Sequence, residues 1–235
     1  MDNPAARSFP DDHEIHRGDQ DDRSREPVRH EGVTFGQAQP FLQRVDSAVS
    51  VHDRARMFCQ KSVTIWLTGL SGAGKSTIAY ELERLLMSRG HACYVLDGDN
   101  IRHGLGSDLS FTPADRHENI RRVAHVAQLM NDAGLIVISA LISPMHEDRA
   151  MAREIIGHDR FVETYLSASV DDCARRDPKG LYAKARAGVI PSFTGVSAPY
   201  EPPVQPDVRV DTATESKEAS VAGIFSYLRD TFLIT

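Results

Sequence analysis

Long apolar runs are missing from this sequence: no stretch approaches the roughly 18–20 consecutive apolar residues that cross a bilayer. Cysteine is scarce, with Cys59, Cys93 and Cys173 at no metal-ligand spacing. An odd, sparse set argues against a disulfide framework and fits free thiols in a reducing compartment. Positive charge is also short: 27 Lys and Arg stand against 33 Asp and Glu, a net charge of −6. That balance disfavours a general nucleic-acid or membrane-surface binder, so an anionic ligand must be held by local basic groups. The N-terminus lacks the apolar h-region of a signal peptide and is too acidic for a transit peptide. The expectation is a soluble, cytoplasmic protein. Internal repeats and low-complexity tracts are absent too.

The 235 residues that are present suffice for one domain and an extension. Residues 1–32 are polar, acidic and nearly free of large apolar side chains, which predicts disorder. Over 33–60 the apolar content rises, predicting a partly ordered segment that in part forms helix and packs on the main domain. The main domain is expected to span 61–235. Short apolar runs at 63–68, 93–96, 135–141, 161–166 and 208–210 read as strands. Helical spacing predicts helices over 75–89, 113–133, 148–156 and 217–232, with Gly90 and Pro113 as punctuation. This alternation predicts an α/β fold: a three-layer parallel sheet of the P-loop NTPase type with helices on both faces. Ligands in such folds lie beyond the carboxyl ends of the strands.

The chemistry begins at GLSGAGKS, residues 69–76, a complete G-x-x-x-x-G-K-[ST] loop between a strand and a helix. Backbone N–H groups from Gly69, Ser71, Gly72, Ala73 and Gly74 would cradle phosphates, helped by the helix N-terminus. Lys75 would reach the β- and γ-phosphates of ATP, and Ser76, followed by Thr77, would ligate Mg²⁺. The rival reading, a mere tight turn, does not account for the complete pattern and both flanks. The strand at 135–141 carries no terminal acid, and no N-K-x-D element is present. A GTPase switch or motor ATPase is therefore disfavoured, and a metabolite kinase remains.

The second strand ends in LDGDN at 96–100. Asp97 and Asp99 either form a solvated Asx turn or face a cleft, where one orients an attacking hydroxyl or assists Mg²⁺. Here the chain resembles the adenylylsulfate kinase family. The matching pieces are WLTGLSGAGKST at 66–77, LDGDNIRHGL at 96–105, FTPADRHENIRR at 111–122, ISP at 142–144, RDPKGLYAKARAG at 176–188 and FTG at 193–195.

That resemblance implies ATP and Mg²⁺ as donor and cofactor and adenosine 5′-phosphosulfate (APS) as acceptor. It places Asp97, Asp99, Asn100, Ile101, Arg102, Phe111, Arg116, Asn119, Ile142, Ser143, Lys179 and Phe193 at the acceptor. Arg102, Arg116 and Asn119 would hold the phosphosulfate, where a guanidinium fork suits a tetrahedral anion. Phe111 and Phe193 would sandwich adenine. Arg176 would contact ATP. Ser143 is implied as a phosphoserine in some relatives; hydrogen bonding to substrate is the alternative. Residues 179–200, rich in Gly and Pro, would form a mobile lid with little structure of its own. The resemblance further implies a homodimer and points to a functional link with ATP sulfurylase. Two rivals stay open: a kinase for another small metabolite, and a catalytically reduced nucleotide-binding regulator.

Overall fold

The computed structural model describes residue 45 and residues 47–233. The segment 1–32 lies outside the described residues. The sheet has five strands: β1 Thr64–Thr68, β2 Cys93–Asp97, β3 Ile136–Ala140, β4 Phe161–Leu166 and β5 Val208–Val210. Their order is β2-β3-β1-β4-β5, and every pair is parallel. Strands β1 and β3 are buried at every position, which explains their unbroken apolar runs.

Eight α-helices accompany them among the described residues: α1 Val51–Phe58, α2 Lys75–Ser88, α3 Gly98–Arg102, α4 Pro113–Asp132, α5 His146–Ile156, α6 Val170–Arg176, α7 Leu181–Arg186 and α8 Lys217–Thr231. Two apolar clusters cover the two sheet faces. On one, Ile78, Leu82 and Leu86 of α2 and Ile224 and Leu228 of α8 meet Ile65, Leu67 and Ile138. On the other, Ile120, Val123 and Ala127 of α4 and Ala152 and Ile156 of α5 meet Trp66, Val137 and Phe161. The strand alternation sends Ile65 and Leu67 one way and Trp66 the other. Truncating Leu82, which is fully buried, to Ala is expected to cost about 2–5 kcal/mol.

The helix ends follow local chemistry. Thr112 caps α4 by accepting from Asp115 N at 3.1 Å, and Pro113 occupies the first turn. Such a cap is worth about 1 kcal/mol. Helix α5 starts at His146, two residues before the expected 148. Its N-cap Met145 offers no side-chain cap; Glu201, remote in sequence, accepts from His146 N at 2.7 Å instead. Of the segment 33–60, residues 51–58 are helical, begun by a capping box at Ser50 and Asp53. Gln60 is fully buried and donates through Nε2 to the carbonyls of Ala92 and Gly134, each at 2.9 Å. No described helix is long and apolar enough to cross a membrane, and all three cysteines are free thiols.

Candidate active site

Strand β1 ends at Thr68, and the glycine loop turns directly into α2 at Lys75. Gly69 is required for space: a Cβ there would lie 2.7 Å from the carbonyl oxygen of Leu166, and its φ is +153°. Ala73 and Lys75 are buried, Ser71, Gly72 and Gly74 are half-buried, and Ser76 and Thr77 stand exposed at the helix start. Lys75 Nζ donates to Gly69 O at 2.8 Å and Leu70 O at 2.7 Å. Burial lowers its pKa from the usual 10.5 to about 8.

The carboxylate lacking on β3 is supplied from β2. Ser76 Oγ donates to Asp97 Oδ2 at 2.6 Å. Asp97 is buried, and its other oxygen accepts from Asp99 N at 3.0 Å, capping α3. One residue thereby joins the phosphate loop to the strand end that bears Asp99. Ser76 and Asp97 are hard oxygen donors side by side, a set that fits Mg²⁺ completed by phosphate oxygens and water. Among the described residues no cluster of three or more His, Cys, Asp or Glu could form a protein-only metal cage.

Asp99 is exposed and pairs with Lys179 Nζ, which raises the pKa of that lysine. Asn100 Nδ2 donates to Tyr80 OH at 3.0 Å, and Ile101 packs against the α4–α5 apolar cluster. The Arg102 guanidinium lies 4.3 Å from the Phe111 ring centroid, and its Nη1 donates to Ser110 O at 3.0 Å. Arg116 straps together the segments that carry the two phenylalanines. It donates to Phe111 O at 2.9 Å, Ser192 O at 2.6 Å and Thr194 Oγ1 at 2.7 Å. Burial lowers the pKa of both Arg102 and Arg116. Arg121 and Arg122, on the same helix, pair instead with Glu118. Phe111 is exposed, whereas Phe193 is buried edge-on to Tyr182, with centroids 4.9 Å apart. Asn119 is buried, and its Oδ1 has no hydrogen-bond partner.

Beyond β3, Ile142 is half-buried and Ser143 buried. Ser143 Oγ accepts from Trp66 Nε1 at 3.1 Å. The segment 179–200 departs from the expected loop, because α7 occupies part of it. Asp177 explains the helix: its carboxylate accepts from the N–H groups of Leu181, Tyr182 and Ala183. Tyr182, missed in the sequence, is almost fully buried and donates to Ser71 O at 2.9 Å, tying α7 to the phosphate loop. Arg176 reaches Gly72 O and Thr212 O, and Thr212 Oγ1 donates to Ala73 O at 2.9 Å. Its position just past the last strand was the only sequence signal for Thr212.

A parallel sheet whose central strand opens into a glycine loop, faced by two carboxylates at the end of the edge strand β2, defines a P-loop phosphotransferase. A family model described as adenylylsulphate kinase matches residues 61–211. The adenylyl-sulfate kinase of Pseudomonas entomophila is 55% identical over 74% of this chain and 84% of its own length. That of Staphylococcus carnosus is 54% identical over 79% and 93%. Among solved structures, the Mycobacterium tuberculosis APS kinase CysC, in complex with AMPPNP and APS, matches with a TM-score of 0.69 and 48% identity, covering 72% of this chain and 98% of that one. The chain belongs to the adenylylsulphate kinase family.

Proposed function

We propose that the protein transfers the γ-phosphoryl group of ATP to the 3′-hydroxyl of APS, giving ADP and 3′-phosphoadenosine 5′-phosphosulfate (PAPS). The observation that carries this reading is the Ser76–Asp97–Asp99 connection, which sets a donor loop and an acceptor carboxylate around one cleft. The 3′-oxygen attacks the γ-phosphorus in line, its proton leaves, and the bond to the β-bridging oxygen breaks. Lys75 turns from the Gly69 and Leu70 carbonyls to the β- and γ-phosphates. The amides of Ser71, Gly72, Ala73, Gly74 and Ser76 hold the rest of the chain of phosphates, and Arg176 borders the nucleotide. Such transfer depends on positioning and electrostatics more than on covalent chemistry.

Asp99 orients the attacking hydroxyl and accepts its proton, leaving Lys179 as it does so. Ser76, with Asp97 behind it, would hold Mg²⁺, which neutralises charge on the phosphates when bound. Arg102, Arg116 and the Asn119 amide, through its Nδ2 donor, take the phosphosulfate end. Phe111 and Phe193 take the adenine once Arg102 leaves the Phe111 ring. Ser143, with its hydroxyl buried against Trp66, holds the strand-end turn instead of relaying phosphate. A homodimer in the cytoplasm, working beside an ATP sulfurylase, is consistent with this role.

The deciding experiment supplies ATP, Mg²⁺ and APS and follows ADP and PAPS. Stoichiometric PAPS supports the reading. ADP formation only with another acceptor makes the protein a different metabolite kinase. Binding of both nucleotides without turnover makes it a regulator.

A further inference from the structure

We propose that Arg149 is a positioning residue: it fixes the turn that follows β3 and fastens to it the far end of the segment closing over the site. The inference rests on the phosphotransfer reading above. Arg149 lies on α5 with only 3% of its surface exposed. Its Nε donates to Glu163 Oε1 at 2.7 Å and its Nη1 to Ser143 O at 2.7 Å. Its Nη2 meets His146 Nδ1 and donates to Glu201 O, each at 2.8 Å. These partners come from β4, the post-β3 turn, the start of α5 and the stretch after the lid. A buried ion pair of this kind is a weak source of stability, because desolvation offsets much of the attraction. What it supplies is geometry, through a planar fork with fixed donor directions.

The turn needs such a hold. Ser143 has φ +38°, in the left-handed region that side chains rarely adopt. Backbone strain of this kind persists only where neighbours over-determine it. Three side chains do so. Arg149 holds the Ser143 carbonyl, Thr68 Oγ1 donates to the Ile142 carbonyl at 2.7 Å, and Trp66 Nε1 holds the Ser143 hydroxyl.

The same turn carries the end of the lid. Tyr200 OH lies 3.0 Å from Thr68 Oγ1, and Glu201 N donates to Pro144 O at 2.8 Å. The near end of the segment is tied elsewhere, by Tyr182 to the phosphate loop and by Lys179 to Asp99. The near end thus touches both the phosphate loop and Asp99, and the far end is held by the turn after β3.

Arg149→Lys keeps the charge and loses the fork. Steady-state kinetics with ATP and APS varied separately, together with melting curves, test the role. We expect KM for APS to rise about tenfold, with KM for ATP changed less than about twofold. Tyr200→Phe should raise KM for APS in the same direction but less. The double variant should fall short of the product of the two effects, since both act on one turn. Equal changes in both KM values, or a lower melting temperature with both unchanged, would make Arg149 merely structural and overturn the proposal. If Arg149→Lys fails to fold, Tyr200→Phe decides: an unchanged KM for APS overturns it. Wild-type protein that makes no PAPS would instead refute the reaction itself, which keeps the two failures distinct.

Discussion

Lys75 Nζ donates to the carbonyl oxygen of Gly69 at 2.8 Å, so the cation that opens α2 is folded back against the backbone that starts the loop. The charge is buried, and its desolvation opposes folding. Lys75→Met is expected to fold with a melting temperature within a few degrees of the native protein. PAPS formation should fall by about a hundredfold or more, as when a transition-state donor is removed. Circular dichroism and a turnover assay on the same sample check both halves. Substantial activity in a folded variant would remove Lys75 from the transfer.

Asp97, which caps α3 from the end of β2, and Asp99 within α3 should fail differently. Asp97→Asn can still cap α3 but replaces the carboxylate beside Ser76 with a neutral amide. Its lost activity should be partly recovered by raising Mg²⁺. Asp99→Asn removes the group proposed to accept the proton, and no amount of Mg²⁺ should restore its activity. Magnesium titrations of kcat separate the two; identical curves would contradict the division of labour.

Gly106 sets the position of Asn119. A Cβ at residue 106 would lie 2.5 Å from Asn119 Oδ1, closer than real contacts allow. Gly106→Ala must therefore displace the buried amide. KM for APS is expected to rise by about tenfold, with KM for ATP little affected. An unchanged KM for APS would mean that Asn119 does not touch the acceptor.

Glu118 gives a pH signature. Its pKa is lowered from 4.5 to about 2, first by Arg121 and then by Arg122. A depressed carboxylate contributes stability that is present above its unfolded pKa and lost as pH falls toward the folded one. The melting-temperature advantage of native protein over Glu118→Gln should hold at pH 6 and shrink between pH 4.5 and pH 2. A gap that stays constant across that window would show that the pairs with Arg121 and Arg122 contribute nothing.

The alternation of strands and helices was legible because buried parallel strands are written as apolar runs and α4 announces itself with Pro113, whereas its cap Thr112 was not read in advance. The phosphate loop was legible because its parts are consecutive and act through backbone. Arg149 was not: inside HEDRAMAREII it reads as a helix-surface charge, and its burial depends on Ser143, Glu163 and Glu201, which are separate in sequence. The same holds for the Trp66 indole, whose strand reads simply as core. Helix α7 escaped because glycine and proline dominate its surroundings, while Asp177, which starts it, looks like any loop acid. Asp97 was recognised, but its reach to Ser76 depends on how α2 lies across β2.

Asp97 spends one oxygen on Ser76 and the other on the amide of Asp99. A displacement at either atom is transmitted through a single rigid carboxylate. Any coupling of donor and acceptor affinity carried by this carboxylate is reciprocal: the factor by which ATP alters APS affinity equals the factor by which APS alters that of ATP. One buried side chain is thus the physical link between the phosphate loop and the strand end that bears Asp99.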